Sequence, residues 1–183
     1  MALSKIDVAN MVTGAVPVAN GGTALTSGFA NGVTMVNHWR VTSDFTDDAS
    51  PISANLEQAD TDGYGKIGGD MTVSSGIWTF PSTGVYLLQF ELYVIADNID
   101  GLISMFIETT TDNGTYSNAS QKEFGVSRGS DRQMCSTQFI FDVTNTTNCK
   151  CKFHLSNASS DTTTHGNSGI SETSFTFIRL GDT

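Results

Sequence analysis

The chain has 183 residues and a formal net charge of −10, with only 15% of its residues charged. That length excludes two full domains of ordinary size, and nine basic residues scattered without a patch exclude nucleic-acid binding by counter-ion release. A 38% hydrophobic share with eleven Phe can fill a core, and the polar remainder, rich in Ser, Thr, Asn and Gly, suits strands and turns better than surface helices. No apolar run reaches the roughly 18 residues that span a bilayer as a helix, so membrane insertion is not expected. The opening Met1–Asp7 lacks the apolar stretch of a secretory signal, which points to assembly in the cytoplasm.

Residues 1–32 are rich in Ala, Gly and Val, lack period-2 alternation and carry a bend signal at Asn20-Gly21-Gly22. Alone they bury too little to fold, so they are read as an extended N-terminal arm that orders against a partner. Residues 33–183 read as one all-β domain. Trp39 and Val41 share a face of the first strand. Ile77, Trp78 and Phe80 follow, and then comes the clearest alternation, with Tyr86, Leu88, Phe90, Leu92 and Val94 on one side. Leu102–Thr110 is apolar at Ile103, Met105, Phe106 and Ile107. Cys135, Phe139, Phe141 and Val143 point inward from the next strand. Cys149–Leu155 and Ser174–Leu180 complete the set, the latter with Phe175, Phe177 and Ile178. Asp112-Asn113-Gly114 and His165-Gly166-Asn167 serve as turns. The pattern defines a β-sandwich or jelly roll.

Little here carries catalytic chemistry. Cys149 and Cys151 share parity with Phe153 and Leu155, which makes them core residues in a strand and not metal ligands. Gly125-Val126-Ser127-Arg128-Gly129 matches the hydrolase elbow, but that motif needs a strand–turn–helix over a parallel sheet, and β pattern continues here. Asp60-Thr61-Asp62-Gly63-Tyr64-Gly65 resembles a calcium loop, yet Tyr64 and Met71 occupy ligand positions of the template. His38, His154 and His165 lack ligand spacing. No catalytic residue, metal or cofactor is expected, and the chain is read as a non-enzyme.

Two segments resemble known families. Val16-Pro17-Val18-Ala19-Asn20-Gly21-Gly22-Thr23 is similar to a motif of tail-fibre and related appendage proteins of tailed bacteriophages, with Ala24 where that family usually carries Gly. The resemblance implies an attachment region of a virion component. Gly76-Ile77-Trp78-Thr79-Phe80-Pro81-Ser82-Thr83-Gly84-Val85-Tyr86 looks like the signature of complement globular-head and tumour-necrosis-factor jelly rolls, and Thr173–Leu180 resembles their last strand. Those domains are compact trimers, so the resemblance implies a homotrimer.

Together these readings describe a bacteriophage virion structural protein: a trimeric knob, decoration or fibre component, held to other virion proteins by its arm. The doubly apolar strands assign the trimer interface to Ile103, Met105, Phe106, Ile107, Phe175, Phe177 and Ile178. Adsorption to a host surface glycan is the alternative task, with the loop aromatics Tyr64 and Tyr116 as receptor contacts.

Overall fold

Strict alternation over thirteen residues makes Gly84–Ala96 the organising strand: Tyr86, Leu88, Phe90, Leu92, Val94 and Ala96 are all buried, while the residues between them face outward. The computed structural model describes residues 33–127 and 129–183. In chain order the strands are β1 (Met35–Val41), β2 (Ser43–Thr46), β3 (Leu56–Gln58), β4 (Thr72–Ser74), β5 (Ile77–Thr79), β6 (Gly84–Ala96), β7 (Asp100–Thr110), β8 (Ser117–Val126), β9 (Asp131–Val143), β10 (Lys150–Ser156), β11 (Thr162–Asn167) and β12 (Ser174–Gly181). The N-terminal arm, including Val16–Thr23, lies outside the described residues.

Two antiparallel sheets face each other. The first has seven strands in the order β2-β11-β6-β12-β1-β3, with β9 paired along the other edge of β6; the second has five, β4-β5-β10-β7-β8. β6 is long enough to serve β9 along its whole length on one edge, and β11 and β12 in succession on the other. Between β3 and β11 the chain crosses from one sheet to the other six times, which is the crossover pattern of a jelly roll.

An aromatic cluster fills the space between the sheets. Trp78, fully buried, meets Trp39 edge-on at 5.1 Å and lies 4.9 Å from Phe177; Phe90 stacks on Phe175 at 5.2 Å. Such ring pairs contribute about 0.5–1.5 kcal/mol each beyond their burial. Cys149 and Cys151 are buried in the same core, as their parity requires, and burial pushes the Cys151 thiol far up. At the entry to β6, Gly84 has φ +144°, and an added Cβ would lie 2.6 Å from the Gly181 carbonyl oxygen. That position needs glycine.

One turn assignment is corrected. His165-Gly166-Asn167 belongs to β11, paired with β2, and is not a turn. Its polar composition (Thr162 to Asn167) hides it from a hydrophobicity pattern. β8 is hidden for the same reason, since it buries only Val126.

Candidate functional site

The pairing register arranges the outward side chains of the first sheet in rows. Val36 lies opposite Ile178, Ile178 opposite Leu87, and Leu87 opposite Ile140. This is an unbroken apolar row across β1, β12, β6 and β9. Ile140 is 54% exposed, and Leu180, beyond Ile178 on β12, is 45% exposed. One step along, His38, Thr176, Gln89 and Gln138 form a polar row, followed by Arg40, Ser174, Glu91 and Ser136. Tyr93 and the 78% exposed Met134 then restore apolar character. Val36, Ile178 and Leu87 are half-buried and Ile140 is exposed, so covering what remains of the row contributes on the order of 1 kcal/mol per side chain.

Beside this face, the rim at β3 is fixed by charge. Arg40 is 2% exposed; its Nε donates to Glu57 Oε1 and its Nη2 to Asp60 Oδ1, both at 2.8 Å, and its Nη1 donates to Thr61 Oγ1. A buried guanidinium needs such partners, because an unpaired charge there is costly. His38 engages Thr176 Oγ1 through Nδ1 and Ser171 Oγ through Nε2, each at 2.8 Å. Burial holds its pKa below the ordinary histidine value; Glu91 opposes that shift and Arg40 adds to it. Nearby, Asp70 accepts from Lys66, Gln58 and Asn37, and these hydrogen bonds lower its carboxyl to about 2.

The outer face of the second sheet is different. Lys152 Nζ sits 2.8 Å from Glu108 Oε2 and 4.4 Å from the centroid of the Tyr116 ring. His154 Nδ1 approaches the same carboxylate oxygen at 3.3 Å, and its ring lies 4.2 Å from Phe106. Gln121 and Glu123 extend the polar surface over β8.

The expected interface residues divide between these regions. Ile103, Met105, Ile107, Phe175 and Phe177 are at most 1% exposed and point between the sheets of their own chain, so they are core and not an intersubunit contact. Phe106 is 8% exposed and rests under His154 on the second sheet. Ile178 alone of the seven lies in the apolar row of the first sheet. The second apolar face of each strand is carried by few residues, Phe106 with Leu102 on β7 and Ile178 with Leu180 on β12, while the rest of the seven fill the core of their own chain. Val36, Leu87 and Ile140 complete the row of Ile178. Each looks unremarkable in its own strand, and only the long-range register lines them up.

The two tyrosines proposed as receptor contacts are not brought together. Tyr64 packs at the β1–β3 rim, where its hydroxyl accepts from the His38 backbone N–H at 3.1 Å. Tyr116 lies over the second sheet, with its ring against Lys152 and its hydroxyl buried without a hydrogen-bond partner among the described residues. In the Asp60–Gly65 loop, Asp60 is committed to Arg40, and Asp62 and Gly63 adopt positive φ in a tight turn. No group of three or more His, Cys, Asp or Glu among the described residues could hold a metal ion.

Two opposed antiparallel sheets joined by jelly-roll crossovers, with the long strand β6 central to the first, define a tumour-necrosis-factor-like jelly roll. Solved structures bear this out. Eiger TNF from S. frugiperda matches with a TM-score of 0.62 at 14% identity, covering 83% of this chain and 96% of that one. Murine APRIL at pH 5.0 matches with a TM-score of 0.57 at 15% identity, covering 80% of this chain and 98% of that one. At such identity the likeness is one of fold. No family model matches the sequence, and no curated protein matches it.

Proposed function

We propose that this chain is a non-enzymatic structural component of a bacteriophage particle, a homotrimer closed through the outer face of its first sheet and attached to other virion proteins by residues 1–32. The observation that carries the self-association is the apolar row Val36–Ile178–Leu87–Ile140, extended by Leu180. A single chain leaves it half-covered, with Ile140 and Leu180 exposed, and a cyclic arrangement of copies covers all copies of it alike. The trimeric state is what the family resemblance of Gly76–Tyr86 implies. The phage setting rests on the Val16–Thr23 motif. Docking of the arm has to overcome an ordering cost of about 1–2 kcal/mol per residue, which calls for a partner surface rich in backbone and apolar contacts. Mass spectrometry of purified particles should find the chain at a copy number divisible by three. Its absence from particles overturns the reading.

A second task, adsorption to a host surface glycan, is favoured by a shallow cavity of about 320 Å³ lined by Tyr64, His38, Arg40, Ile170 and Ser171. An aromatic edge beside hydroxyl and charged groups suits a sugar. Binding of the protein to host cells should weaken after Tyr64→Ala; unchanged binding removes this task.

A further inference from the structure

We propose that acid loosens the assembly, with His38 as the group that senses it. This deepens the reading of the first sheet's outer face as a self-association surface, and it rests on that reading.

His38 stands in the polar row next to the apolar one, so a copy that covers Val36, Ile178, Leu87 and Ile140 also covers its surroundings. Both ring nitrogens already meet hydroxyls, Thr176 Oγ1 and Ser171 Oγ, and a hydroxyl can donate to or accept from the ring. The neutral ring is therefore satisfied where it stands. Charging it would bring a second cation beside Arg40 on the same strand. Arg40 is itself neutralised by Glu57 on β3 and by Asp60 on the following loop. Tyr64 contributes a neutral hydroxyl. On β6, Glu91 is the anion that favours a charged His38, but it already accepts from Gln89 and Ser174. Asp62 and Glu172 lie on the flanking loops, and among the described residues neither forms an ion pair with the ring. β12 contributes only the uncharged Thr176.

The direction follows from linkage. Burial lowers the His38 pKa from 6.5 in the single chain, and cover by another copy removes more water and lowers it further. Separated copies then bind protons more readily than assembled ones, and association weakens as pH falls through the lowered His38 pKa of the separated copies. Bulk charge predicts the opposite sign. Each copy carries a formal −10 with a pI near 4.4, so acidification reduces repulsion between copies and should tighten them. Acid loosening therefore has to come from a local group.

The test is sedimentation of the full chain at about pH 7.5 and about pH 5, for the wild type and for His38→Gln, with circular dichroism to check the fold. The wild type should need a roughly tenfold or higher concentration to assemble at the acid pH, a factor equivalent to one pKa unit. His38→Gln should lose that dependence. Wild-type assembly that is unchanged or tighter at acid pH overturns the proposal, and so does a variant that loosens as the wild type does. If His38→Gln misfolds, an NMR titration of the wild-type His38 ring replaces it: a pKa lower in the assembled protein than in dilute separated chains supports the proposal, and an equal or higher one overturns it. A single-chain mass at both pH values overturns the self-association reading itself.

Discussion

The two outer faces of this sandwich share a strand geometry and differ in the chemistry they present. On the second sheet, Lys152, Glu108, His154 and Tyr116 form a connected set of charge and ring contacts within the chain. On the first sheet, an aliphatic row crosses four strands and ends at the exposed Ile140. A face that has paired its charges gains little from a partner, because their desolvation offsets the new contacts. An apolar row only gains. The proposed self-association therefore uses the first sheet.

Substitutions can break this comparison or sharpen it. Trp78→Ala, which empties the core behind both faces, should cost about 3–5 kcal/mol in chemical denaturation and so lose fold and assembly together. Arg40→Ala leaves Glu57 and Asp60 without their cation. Because Asp60 is largely exposed, a loss of about 2–3 kcal/mol is expected rather than the full cost of a buried pair. Lys152→Met on the second sheet strands Glu108 and should cost about 1–3 kcal/mol, with no change in the assembled mass. A changed mass would erase the distinction between the faces. The smallest effect concerns His154, whose pKa burial lowers from 6.5 despite the opposing influence of Glu108. Unfolding frees it to bind a proton, so fold stability should decline as pH falls below about 6.5. His154→Gln should flatten that slope in denaturation series at several pH values.

Much of the fold could be read from local alternation. β6 is apolar at every second residue, and the same parity places Cys149, Cys151, Phe153 and Leu155 in the core, where they are found. β8 and β11 could not be read this way, because their polar side chains hide the period and their pairing is decided by neighbours far away in sequence. The apolar row of the first sheet was harder still. Ile178 was recognisable, but its row-mates Val36, Leu87 and Ile140 come from strands separated by long stretches of chain. A row across a sheet is a property of register, and no window of sequence contains it. Conversely, the run at Ile103–Ile107 is buried on both faces, as its composition suggested, but within one chain: Ile103, Met105 and Ile107 face the core, and Phe106 is covered by His154 on the outer side.

The most direct test is the mass of the full chain by sedimentation equilibrium at neutral pH, beside the double variant Leu87→Lys, Ile140→Lys. The account predicts three copies for the wild type, and a single chain with an unchanged circular dichroism spectrum for the variant. A wild type that stays at the mass of one chain as concentration rises would contradict it, as would a variant that still assembles.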